Sequence, residues 1–253
     1  MSEVMVTILI FVRVSALMIL IPVLGHKLVP QPVKAGLSLL LTILLYPMVG
    51  DLVTPISPEP LSFILLAIQE ILFAGSLALL ANLIFAAVQF SGQLMSFQMG
   101  LAIANVFDPA TNAQGAVTAQ LASILAILLW LASGAHHTFI LALFDSFALL
   151  PVGQPWVLSS WGMLNDAAAQ MFILTLRLAA PVMLLLFFVY VALGLMARAV
   201  PQIQVFFVSS PLTVGLGLFT FALALPSVTS LTYDAFASLS YQLPAMMRVL
   251  AGG

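Results

Sequence analysis

Residues 88–120 read VQFSGQLMSFQMGLAIANVFDPATNAQGAVTAQ, and the organisation of the whole chain follows from them. The stretch comes after one long apolar run and before another, so it is neither a plain membrane span nor an ordinary loop. At helical spacing, Gly75, Asn82, Gln89, Gln93, Ser96 and Gly100 follow one another at steps of seven, seven, four, three and four residues. One helix face is therefore polar and uncharged, and the opposite face is apolar. Met95, Phe97 and Met99, then Ile103, Val106 and Phe107, supply an apolar collar. Asp108-Pro109 is expected to end the helix, because proline lacks the amide donor and pushes the preceding residue out of the helical region. A small polar loop follows: Asp108, Pro109, Ala110, Thr111, Asn112, Ala113, Gln114 and Gly115. A polar stripe, a pliable collar and such a loop suit a gated, water-filled path. The competing reading of the methionines is packing, since methionine fills irregular gaps.

Outward from this stretch the chain is built for lipid. Of its 253 residues 63% are hydrophobic and 6% charged, whereas soluble domains carry about 25% charged residues. The net charge is −2 and no basic run occurs, so no nucleic acid partner is expected and membrane lipid is. The absence of cysteine excludes disulfides and thiolate metal sites. Glu3 at the start and Arg13 within the first apolar run do not fit a signal peptide.

Six apolar segments are expected, at roughly 4–24, 35–53, 61–90, 116–150, 167–197 and 212–231. The first, second and last fit the roughly 20 residues of a membrane-crossing helix. The third and fifth are longer, so they must tilt, break or stand partly outside the bilayer. The fourth is expected to break near Ser133-Gly134 into a helical hairpin. Proline-rich breaks lie at 25–34 and 50–60, and Trp156 and Trp161 fall in the loop 151–165. Lys27, Lys34 and Arg198 lie in odd-numbered loops, which the positive-inside rule assigns to the cytoplasm, leaving both termini outside. Pro32-Val33-Lys34 and Pro211-Leu212-Thr213 belong to a faint internal repeat.

No catalytic constellation is present: there is no phosphate-binding glycine loop, nucleophile elbow or paired metal-ligand spacing, and no cofactor is implied. His136 and His137 are adjacent, so on a helix they point about 100° apart and do not share a metal. Arg13, Glu70 and Arg177 stand inside apolar runs. Each costs at least about 2.5–3.5 kcal/mol at a bilayer centre, so each must face protein, water or an opposite charge. Two readings follow: a proton or ion relay, as in a secondary transporter of a small solute, or an ion pair that fixes packing, with Glu70 paired to one of the arginines.

Gly92-Gln93, Phe97-Gln98-Met99-Gly100-Leu101-Ala102 and Asn105-Val106-Phe107-Asp108-Pro109 resemble the central motif of the FliR/SctT family of type III secretion export-gate proteins. A second signature of that family resembles Arg198-Ala199-Val200-Pro201-Gln202-Ile203-Gln204-Val205-Phe206 with Pro211-Leu212; Thr213 stands where a lysine is expected. The resemblance covers essentially the whole chain, and the Phe-Asp-Pro form favours the flagellar branch. It implies an all-α integral membrane protein of helical hairpins and long broken helices. One copy would join several copies of FliP and FliQ in a right-handed helical export gate, raised above the inner membrane towards the periplasm. Unfolded flagellar proteins would pass through this gate in the flagellar basal body, with FlhB docked on it and FlhA below. Residues from 1 to about 165 would resemble FliP, and those from about 166 to 253 a FliQ-like hairpin. The constriction would correspond to Ile103 and Val106 with Phe107 adjacent, Met95 and Met99 behind them, and the plug to Asp108 through about Thr118.

Overall fold

A computed structural model describes residues 2–25, 29–49, 59–101, 117–153, 161–199 and 205–252. These form helices α1 (Ser2–Leu20), α2 (Gln31–Val49), α3 (Pro60–Gln98), α4 (Val117–Ala132), α5 (Ala135–Leu149), α6 (Trp161–Ala199), α7 (Val205–Ala237) and α8 (Leu239–Leu250). No strand occurs among the described residues. The fold is all-α, and among the described residues five helices are long and apolar enough to cross a membrane, or six if the broken pair α4–α5 is one span.

Local chemistry accounts for the ends. Glu3 lies in the first turn of α1, where a carboxylate meets the positive end of the helix dipole. Ile21-Pro22 stops that helix, and Pro32 and Pro60 sit in first turns, where the missing amide has no intrahelical partner. Hydroxyls inside the apolar helices are satisfied by their own backbone: Thr42 Oγ1 donates to Ser38 O at 2.8 Å and Thr232 Oγ1 to Val228 O at 2.7 Å. Side chains of this kind therefore add little cost to a buried or lipid-facing helix.

The expected breaks fall differently. α3 and α6 each run unbroken for 39 residues, α6 continuing through Pro181. Each is about 58 Å long, against a hydrocarbon core of about 30 Å. The long broken helices implied by the resemblance are thus not these two. The break occurs in the fourth segment, at Ser133-Gly134, where Gly134 takes the left-handed conformation with φ 69°. The chain bends there by 60°, so α4 and α5 form a broken helix and not the hairpin expected. α8 was not among the six segments. Its buried Leu239, Leu243, Met246, Met247 and Leu250 recur at helical spacing and pack on α5.

Two compact units make up the chain. The first comprises residues 1–83, 131–168 and 236–253, the second 84–130 and 169–235. In the first, α1 packs along α2, and its Leu9, Ile10, Val14 and Leu17 are buried. α2 is turned inside out: Lys34, Ser38 and Thr42 are buried while Leu37, Leu40, Leu44 and Met48 are exposed. In the second, Trp130 is buried beside Phe85, with ring centroids 5.7 Å apart. On α6, Phe172, Leu176, Phe187, Phe188 and Leu195 are exposed. Apolar faces on this scale need lipid or partner proteins.

Candidate functional site

The collar and loop expected around residues 95–115 begin at the end of α3. The helix stops at Gln98, ten residues before Asp108, so Asp108-Pro109 is not what ends it. Gly100 ends it instead: its φ is 82°, a left-handed conformation that costs glycine nothing and lets the last carbonyls be closed. Met99 N–H donates to Met95 O at 2.9 Å and Gly100 N–H to Phe97 O at 3.0 Å. Two side chains from other helices cap the final turn. Tyr190 Oη on α6 donates to Gln98 O at 2.7 Å, and Thr213 Oγ1 on α7 donates to Met99 O at 3.1 Å.

The collar residues then divide. Met95 and Met99 are buried in a cluster with Ala179, Val182, Leu186 and Phe221, all within the second unit. Phe97 projects outward, 72% exposed. Ile103, Val106 and Phe107 and the loop Asp108, Pro109, Ala110, Thr111, Asn112, Ala113, Gln114 and Gly115 lie outside the described residues.

The far side of that stretch is fixed to the near side. Thr118, expected at the end of the loop, belongs to α4 and is fully buried. Its hydroxyl reaches Gly92 O at 2.8 Å and is hydrogen-bonded to the Ser96 hydroxyl. Gly92 is required for this approach, because a Cβ there would stand 2.6 Å from Ala119 Cα. The chain thus leaves α3 and re-enters on α4 beside its point of departure. Of the polar stripe, Ser96 is consumed in this clamp, whereas Gln89 and Gln93 are exposed. Asn82 Nδ2 donates to Leu20 O and Ala78 O, both at 2.9 Å, within the first unit.

The three charges differ in burial. Arg13 and Glu70 are both 3% exposed and paired through Nε and Oε2. Arg13 Nη1 also donates to Leu150 O at 3.0 Å and to Ser146 O and Oγ at 3.3 Å. Its guanidinium lies 4.8 Å from the Phe73 ring centroid and 4.4 Å from that of Phe147. The cation therefore closes the C-terminal carbonyls of α5 and meets two aromatic faces, each favourable to it. Arg177 is exposed, so it is not a buried charge as expected. Packing is the reading supported for Arg13 and Glu70.

Four residues with structural parts were not assigned them from sequence. Tyr190 gave no signal, nor did Gly217, where a Cβ would stand 2.5 Å from Met99 Cγ; Thr213 stood out only as a departure from lysine, and Lys34 was read as a loop charge. Lys34 is buried on α2, where Nζ donates to Gly25 O at 2.8 Å. The His136 and His137 rings lie tilted at 40° to each other at the start of α5, with centroids 4.0 Å apart. No group of metal-binding side chains occurs among the described residues.

The family model described as bacterial export proteins, family 1, matches residues 4–239. The chain belongs to this family. Its export-protein relatives include the flagellar biosynthetic protein FliR of Pectobacterium carotovorum subsp. carotovorum, 37% identical over 228 residues, covering 90% of this chain and 87% of that protein. FliR of Bacillus subtilis (strain 168) is 35% identical over 212 residues, covering 81% and 80%. A more distant relative is Yop proteins translocation protein T of Yersinia pestis, 26% identical over 205 residues, covering 79% and 78%. The matches thus include flagellar biosynthetic and Yop-protein translocation members, and this chain is a component of type III protein export with several apolar helices suited to a membrane.

Proposed function

We propose that the chain is a single-copy subunit of the flagellar export gate, which assembles with FliP and FliQ around a channel for unfolded flagellar proteins. The observation that carries this reading is the pair of unbroken 39-residue helices with apolar sides that the chain itself leaves uncovered. At about twice the length of a membrane span, such helices suit a multi-subunit body that stands partly out of the bilayer. The gate would sit in the inner membrane at the flagellar basal body, raised towards the periplasm, with FlhB and FlhA as further partners and no enzymatic step in this chain. Residues 1–165 would take a FliP-like place and 166–253 a FliQ-like one.

Within the gate, Ile103, Val106 and Phe107 would form the apolar constriction, with Met95 and Met99 packed behind, and Asp108 to Gly115 the plug. Apolar constrictions exclude ions by dewetting. The clamp of Ser96 and Gly92 on Thr118 supports this by returning the chain to its starting point.

Affinity purification of the tagged chain from membranes, followed by mass spectrometry of the intact complex, tests the proposal. The expected result is one copy of this chain with several copies of two smaller membrane proteins. A homo-oligomer, or a stable monomer that binds a solute, would overturn it.

A further inference from the structure

The last turn of α3 rests on a seat made by two other helices of the second unit. The carbonyls of a final helical turn have no partner within the helix. Here Tyr190 meets Gln98 O and Thr213 meets Met99 O. One turn beyond Thr213, Gly217 leaves a hollow for the Met99 side chain: a Cβ at Gly217 would stand 2.5 Å from Met99 Cγ and 2.9 Å from Cε. Met99 fills that hollow and is fully buried. An unbranched thioether is a shape that can leave and re-enter such a hollow without distorting its walls.

Both donors keep partners if the seat empties. Thr213 has a single hydroxyl proton, and Ser209 O at 3.0 Å and Ser210 O at 3.1 Å on its own helix are equally within reach. Tyr190 is exposed, so its hydroxyl can turn to water or to a passing chain. Separation therefore strands no buried donor, and its cost falls on the Gln98 and Met99 carbonyls alone.

We propose that the end of α3 is a releasable clasp, in which Tyr190, Thr213 and Gly217 are positioning residues that seat Met99 in the idle complex and release it during polypeptide passage. The proposal rests on the gate function given above. Because the chain has no cysteine, Met99→Cys combined with Gly217→Cys introduces a lone pair at the seat. A sulfur in place of Met99 Cγ comes within bonding reach of one carried on Gly217.

In the assembled complex, oxidation is expected to link the pair and stop secretion of flagellar subunits, reductant to restore it, and each single variant to be indifferent to oxidant. Complete linkage with undiminished secretion overturns the clasp, and so does failure of the pair to link. A second measurement does not depend on the cysteine pair. Tyr190→Phe and Thr213→Val should each raise idle ion conductance about fivefold, the population shift of one lost hydrogen bond, and Thr213→Ser should return it to the original level. Unchanged conductance in both variants counts against the clasp. Secretion that persists when the whole chain is deleted overturns the gate function itself, whereas secretion that needs the chain but ignores the linkage overturns the clasp alone.

Discussion

The end of α5 and the end of α3 are both capped from the side, by donors on other helices, and the two caps differ in kind. At α5 the donor is the Arg13 guanidinium, held by Glu70, two aromatic rings and the carbonyls of Ser146 and Leu150. At α3 the donors are two neutral hydroxyls, and each has another place to go. A buried cation that loses its partner is left uncompensated, so the first cap is kept closed by the cost of opening. The second opens at the smaller cost of two neutral hydrogen bonds. The same requirement, satisfying carbonyls at a helix end, is met once by a rigid knot and once by a contact that can part.

The knot is the place to break this contrast hardest. Glu70→Gln leaves the Arg13 charge buried without its carboxylate and should cost about 3–5 kcal/mol. Thermal unfolding of the purified complex and its yield from membranes both read this loss. If unfolding and yield match the unaltered complex, the pair is not what holds α1, α3 and α5 together.

Thr213→Val removes a neutral donor of nearly the same shape and should cost about 1 kcal/mol. The complex should assemble in normal amounts and unfold at a slightly lower temperature. A loss as large as that of Glu70→Gln would make the α3 cap as rigid as the α5 cap and erase the difference between them.

Arg177→Gln should do least, within about 0.5 kcal/mol, because the side chain is exposed. Secretion and its dependence on the proton gradient should be unaltered. Loss of that dependence in a fully assembled complex would restore Arg177 to a charge-carrying role.

Much of this was legible in the sequence, and the rest was hidden for physical reasons. Apolar run lengths were enough for an all-α membrane protein, and Gly134 marked a helix break that occurs within a run. Glu70 was expected to pair with an arginine, but the choice of Arg13 is tertiary: the partners lie 57 residues apart and nothing local separates them from Arg177. Gly100 could be a small residue on a polar stripe or a left-handed terminator, and only its φ distinguishes the two. α8 was missed because Pro244 and its polar side dilute its hydropathy, although Leu239, Leu243, Met246, Met247 and Leu250 keep a helical period. Tyr190 and Gly217 were invisible, since an exposed tyrosine and a helical glycine acquire meaning only from what they face. The proposed constriction and plug, Ile103 to Gly115, lie outside the described residues, so their part rests on the family likeness and on the clamp at Thr118.

That part is where the gate can be tested most directly. A channel wide enough for an unfolded chain leaks ions when idle unless something closes it, so closure is the property to measure. The measurement is the ion conductance of cells making the complex with residues 110–115 deleted, alongside quantification of assembled complex. The expected result is normal assembly with raised resting conductance. Normal assembly with conductance equal to that of the intact protein would contradict a plug at this position and with it the gate as described.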